Sequence, residues 1–272
     1  MVLGGCASDE GMVPAGPPLA SSLEPVGGGE FDVRGARPGA ATAEAGRAGE
    51  RWRAPEARPG LGTGWGRGLD SPMTYASFVR AAGKPHRGVA TIWYNDEEGI
   101  EAMTGGRFIR SDGRQRAAGG LVEWGVKSGG RYLRHYHWDG KRFVAGRRGE
   151  RYSIAVRSHA RSRLEVVLSV DGLDVMDGKP ASVKKRGYII WPGQTLEVKG
   201  WRTSPDRVAS FEFSSVTGSY SNLRHASTRN VGVIGMAVFT EKGIDPWRGY
   251  SREAEGAFSA SPFAEAPRSR AR

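Results

Sequence analysis

From residue 150 to 240 the chain repeats short apolar runs, rich in β-branched and aromatic side chains, broken by Gly, Asp, Ser and Pro. Arg151–Arg157 sets Tyr152, Ile154 and Val156 against Arg151, Ser153, Ala155 and Arg157, the period of two that marks a half-buried strand. Leu164–Val170 is nearly all apolar, which places it centrally, and Asp171-Gly172 ends it. Gly187–Trp191 and Thr195–Trp201 flank the turn signal Pro192-Gly193. Arg207–Phe213 alternates again, and Val231–Thr240 closes the series, with Gly232 and Gly235 marking a bulge or a close backbone approach.

Weaker strands precede these. Val89–Tyr94 leads into Asn95–Gly99, a turn or short acidic helix, and Arg107–Arg110 and Leu121–Lys127 follow. Tyr132–Trp138 meets Lys141–Ala145 across Asp139-Gly140, a pair favoured where a tight hairpin needs positive φ, although the count is slightly long for a strict two-residue loop. No helical pattern longer than two turns competes. Seven or more strands at about 8–12-residue spacing predict an all-β fold, an antiparallel β-sandwich or partly open barrel.

The flanks read differently. Residues 7–75 are rich in Gly, Ala, Pro, Arg and Glu, with prolines such as Pro17, Pro18, Pro38 and Pro55 breaking any regular element. So little apolar surface cannot offset the ordering entropy, and a disordered tether is expected, about 45 Å from end to end. Three regions result: 1–75 as leader and tether, 76–245 as the β domain (clearest over 150–240), and 246–272 as a polar tail in which Asp245-Pro246-Trp247 and Ser261-Pro262-Phe263 could clip to the body.

Charge sharpens this division. The chain carries 40 Lys and Arg against 29 Asp and Glu, yet residues 1–75 are net −2 while 76–245 are net +11. A field confined to the folded part favours anionic partners: acidic glycans, lipid headgroups or nucleic acid. The basic residues are 32 Arg and 8 Lys in an Ala-, Gly- and Pro-rich chain. All have GC-rich codons, so genome composition accounts for part of the excess. No stretch of 18 apolar residues is present to form a spanning helix.

The single cysteine changes the picture most. Leu3-Gly4-Gly5-Cys6-Ala7-Ser8 resembles the lipobox of bacterial lipoproteins, with small residues just before a cysteine that takes lipid. Only Met1 and Val2 precede Leu3, so this reading puts the basic and apolar parts of the signal upstream of Met1. The resemblance implies a cell-envelope protein, with Ala7 implying outer-membrane anchoring through lipidated Cys6. Gly149–Ile154, Ser169–Val175, Arg186-Gly187-Tyr188 and Asn230–Gly235 resemble a β domain of uncharacterised bacterial secreted proteins and lipoproteins, which brings no activity with it. With one cysteine there is neither a disulfide framework nor a cysteine-based zinc site.

Candidate chemistry is sparse. His135 and His137 share one strand face, a spacing that can hold a metal but lacks a third ligand, and surface histidines on a hairpin are the expectation. Asp171, Asp174 and Asp177 read as turn caps rather than a calcium loop. Carboxylates such as Glu123, Asp139, Glu150, Glu165, Asp174 and Glu212 could serve a polysaccharide-acting enzyme. No G-x-S-x-G, H-E-x-x-H or P-loop pattern supports a specific reaction. Binding has more behind it. Trp93, Trp124, Trp138, Trp191 and Trp201 are interleaved with Arg134, Arg142, Lys184, Lys185, Arg186 and Arg202; aromatic faces stack on sugars and guanidinium pairs with carboxylate or phosphate. Most of the tryptophans belong in a core. The predicted ligand contacts are Lys184, Lys185, Arg186, Trp191, Trp201 and Arg202, with no cofactor or metal. The expected function is a non-enzymatic, tethered envelope module for an anionic glycan, a headgroup or a protein. An envelope enzyme is the alternative, and a cytoplasmic nucleic-acid binder follows only if the lipobox is chance.

Overall fold

The computed structural model describes residues 57–248; Cys6, Trp52, the tether up to residue 56 and Ser261-Pro262-Phe263 lie outside the described residues. The chain opens with β1 (Leu61–Asp70), β2 (Val89–Asn95) and helix α1 (Glu97–Thr104). Next come β3 (Ile109–Ser111), β4 (Gln115–Ala117), β5 (Val122–Ser128), β6 (Arg131–Tyr132), β7 (His135–Trp138) and β8 (Lys141–Ala145). β9 (Arg151–Ser158), β10 (Leu164–Val170), β11 (Leu173–Asp174) and β12 (Tyr188–Ile190) follow. Then β13 (Thr195–Val198), β14 (Gly200–Ser204) and β15 (Arg207–Ser215) precede helix α2 (Tyr220–His225) and β16 (Val233–Thr240).

Two open sheets face each other. The first runs β1-β15-β9-β5-β4, with β13, β14 and β6 pairing beside β9, β15 and β5; the second runs β11-β10-β16-β2-β8-β7-β3, with β12 beside β10. This is the expected all-β sandwich, and neither sheet closes into a barrel. The pairing is antiparallel apart from β2 with β8, which run parallel with Trp93 opposite Phe143. Between the sheets, Trp124, Ile154, Val156, Trp201, Phe211 and Phe213 meet Ile92, Val166, Leu168, Ile234, Met236 and Val238. Each such side chain contributes about 1.5–3 kcal/mol by leaving water. The outer face of the second sheet is covered twice, by Phe78 on Val167 and Phe239, and by Ile100 of α1 on Tyr136 and Phe143. That helix exists because Asp96 caps its start, accepting from Gly99 N at 2.8 Å, and Gly105 at φ 61° ends it.

Four expectations are corrected. β1 lies inside the segment read as tether, paired with β15 from Leu61↔Ser215 to Asp70↔Arg207. Its glycines sit where neighbours crowd: a Cβ on Gly62 would come 2.6 Å from Ser219 Cβ, and one on Gly66 2.3 Å from Ser210 Oγ. The composition that reads as unfoldable is what lets the strand dock. The Tyr132–Trp138 run is not one strand, because β6 pairs in the first sheet and β7 in the second, with Leu133 and Arg134 crossing between them. The hairpin across Asp139-Gly140 does close in two residues, Trp138 opposite Lys141, with φ of 47° and 68°. Finally, β9 is covered on both faces rather than half-buried. Small Ser153 and Ala155 face outward, and Glu197 from β13 reaches over to accept from Ser153 Oγ at 2.8 Å and from Lys127 Nζ at 3.0 Å.

Candidate functional site

The six predicted ligand contacts do not make one surface. Trp201 has no exposed area; it packs edge-on against Phe211 and donates from Nε1 to the Gly64 carbonyl at 3.3 Å. Arg202 is spent on the fold, donating to Ser71 O at 2.6 Å and reaching Tyr188. Lys185 pairs with both Asp177 oxygens at 2.8 and 2.9 Å, and Arg186 donates to Phe78 O at 2.9 Å. Their loop is clamped from below by Arg80, which stacks on Phe239, binds Glu165 at 2.6 Å and donates to the Val183 carbonyl. Lys184, Arg186 and Trp191 remain exposed, Trp191 with the Arg163 guanidinium 5.2 Å from its ring.

The histidines also fall elsewhere. His135 is completely buried, not on the surface, because its side of β7 is the one that faces the other sheet; neither ring nitrogen has a hydrogen-bond partner. Burial, then the charge of Arg142 and of His137, pushes it down to about 4. His137 accepts at Nε2 from Arg142 at 2.9 Å and meets Ser111 Oγ at 2.6 Å. Among the described residues no group of three or more His, Cys, Asp or Glu is placed to hold a metal.

Of the three aspartates, Asp174 and Asp177 do cap turns, accepting from Met176 N and Lys179 N. Asp171 turns inward. It is fully buried, and its carboxylate accepts from Thr63 N at 2.7 Å, Tyr94 Oη at 2.5 Å and Gly232 N at 2.9 Å. Thr63 Oγ1 lies 2.6 Å from both Tyr94 and Tyr152 hydroxyls. Each hydroxyl has one proton, so the direction is fixed: Tyr152 donates to Thr63, Thr63 to Tyr94, Tyr94 to Asp171. Burial pushes Asp171 up to about 6 against the pull of those donors, and holds both tyrosines as phenols. This chain of hydrogen bonds ties the sheets together and lies inside the core rather than at a cleft.

A different surface concentrates the charge. Residues 107–157 carry 13 basic and 4 acidic side chains, most of the net charge of the protein. They build one edge of the sandwich, where the chain passes three times between the sheets: from β3 to β4, from β6 to β7 and from β8 to β9. Each crossing supplies an exposed arginine: Arg114, Arg134 and Arg147. Arg131 joins them from the far side of a tight Gly129-Gly130 turn, both glycines at positive φ and Ser128 opposite Arg131.

Arg131, Arg134 and Arg147 line a cleft of about 710 Å³ together with Glu97 and Glu150. All three are exposed, and their guanidinium groups make no hydrogen bond or ion pair with the described residues. Through Arg134 this cleft continues into a hollow of about 460 Å³ that holds Arg110, Arg114 and Tyr132. Through Ser128, Gly129 and Glu150 it continues the other way into one of about 480 Å³ with Lys127, Arg151 and Lys199. The result is a single groove of three hollows. No protein-family model, curated protein or solved structure matches this chain. Sequence reasoning named Arg134 in passing and missed the groove, whose arginines are scattered over four segments. Only the density of arginine between 107 and 157 signalled it.

Proposed function

We propose that this protein is a non-enzymatic module of the cell envelope that binds an anionic envelope component along the arginine-lined groove, and that Cys6 carries the lipid that anchors it. The observation that supports binding is the set of free guanidinium groups of Arg131, Arg134 and Arg147 in one cleft. Clustered like charges repel one another and raise the free energy of the bare surface, a cost that an anion reverses. Guanidinium is also the group that grips carboxylate and phosphate in two-point contacts. Anchoring rests on the lipobox pattern Leu3–Cys6. With a complete signal placed upstream, the protein is expected to fractionate with membranes and incorporate labelled fatty acid, and Cys6→Ser to lose both. Equal labelling of the variant would remove the anchor and leave the groove untouched.

An envelope enzyme is the second reading, favoured by Glu97 and Glu150 lining the same cleft. It requires bond cleavage in an acidic polysaccharide that Glu150→Gln abolishes. Binding without cleavage would discard it.

A further inference from the structure

Resting on the anion-binding reading, we propose that the groove holds an acidic polysaccharide, a chain of sugar rings bearing carboxylates, with Tyr132 as the ring-stacking platform and Arg134 as the central anion contact.

Three features carry this. The site is extended: three hollows that share lining residues suit a polymer rather than a single small anion. Its lining is mixed. Eight cations, Arg110, Arg114, Lys127, Arg131, Arg134, Arg147, Arg151 and Lys199, are interleaved with Glu97, Asp112, Glu150 and Glu197. A phosphate backbone, with no hydroxyl donors between its charges, would meet those carboxylates at a Coulombic cost. A uronic-acid chain offers hydroxyl donors between its charges, so carboxylates accept from hydroxyls where guanidinium groups hold acids.

The third feature is a presented aromatic face. Tyr132 is 36 % exposed and has glycine beside it: a Cβ added to Gly125 would lie 3.1 Å from Tyr132 Cδ1, and one on Gly113 2.8 Å from Tyr132 Cβ. Arg114 and Lys127 lie over the ring at 5.8 and 5.7 Å from its centre, each also paired with a carboxylate, Glu123 and Glu197, so a sugar bound beside Tyr132 brings its acid within reach of cations that can exchange partners.

The test titrates the full chain with polygalacturonate, neutral dextran, inorganic polyphosphate and single-stranded DNA of matched length, at low and raised salt. Polygalacturonate is expected to bind most tightly, dextran not at all, and affinity to fall as salt rises. Arg134→Gln should weaken polygalacturonate about tenfold and Tyr132→Ala about fivefold, while Tyr132→Phe stays within about twofold of the parent. Unchanged melting temperatures for the Gln and Phe variants separate these effects from unfolding. Polyphosphate or DNA binding as tightly as polygalacturonate would overturn the glycan assignment while leaving an anion site. Polygalacturonate binding that ignores Arg134→Gln or Tyr132→Ala would overturn the location. No binding to any polyanion would end the parent reading as well.

Discussion

Tyr94, in the middle of the second sheet, donates its hydroxyl to Asp171 Oδ1 at 2.5 Å, and through Thr63 that contact reaches Tyr152 in the first sheet. The two sheets are therefore joined by a run of hydrogen bonds as well as by apolar packing. Tyr94→Phe keeps the ring in place but leaves the Thr63 proton without an acceptor and Asp171 short of one donor. The expected loss is about 1–3 kcal/mol, read from urea denaturation at pH 7. A loss below the error of the measurement would mean that the run contributes nothing to stability.

Asp171 and His135 give opposite pH dependences over overlapping windows. Asp171 is raised to about 6, so the folded state binds its proton more tightly than the unfolded chain does; its contribution is present below about pH 4 and is lost as pH rises through 6. His135 is lowered to about 4, so its contribution is present near neutrality and is lost as pH falls from about 6.5 toward 4. Each reaches at most about 3 kcal/mol. His135→Leu should therefore stabilise the protein more at pH 5 than at pH 7, as it removes two unpartnered buried nitrogens and a group that resists protonation. A difference from wild type that stays constant across this range would contradict the assignment.

The seating of β1 rests on the absence of side chains. Gly66→Ala forces a methyl against Ser210 Oγ and, at 2.6 Å, against its carbonyl, and should cost about 1–3 kcal/mol. Gly83, where an added methyl would meet nothing within 4 Å, is the control, and Gly83→Ala should stay within about 0.5 kcal/mol of wild type. Equal thermal shifts for the two variants would show that β1 is not seated against β15.

Lys185 and Arg186 hold their loop through Asp177 and Phe78 O, while Lys184 stays exposed. Replacing all three by Ser removes the pair with Asp177 and the bond to Phe78 O, so a small loss of about 1 kcal/mol is expected, with polyanion affinity within about twofold of wild type. A larger fall in affinity would move the binding surface back to this run.

The sequence made the sheets legible and hid the site. β10, β15 and β16 announce themselves because their side chains must cover a core, and apolar periodicity records that demand directly. β1 is invisible for the complementary reason: it contributes backbone and close approach, which glycine provides and hydrophobicity does not register. The groove escapes because Arg114, Arg131, Arg134 and Arg147 come together only through the crossings between sheets. A run such as Tyr132–Trp138, continuous in the sequence, gives no sign that it changes sheets at Leu133. Asp171 misleads in yet another way, since Asp-Gly does form the expected turn while its side chain goes to the interior.

The pairing of β1 with β15 also sets the order of events in biosynthesis. Leu61 is made early and its partner Ser215 late, so this edge of the first sheet has nothing to pair with until most of the body has left the ribosome. Trp201, Phe211 and Phe213, the heart of the core, arrive equally late. Contacts this distant along the chain form slowly. Strand β1 therefore stays free of its sheet through most of synthesis, while pairs made wholly within residues 89–158, such as β5 with β9 and β7 with β8, can close first.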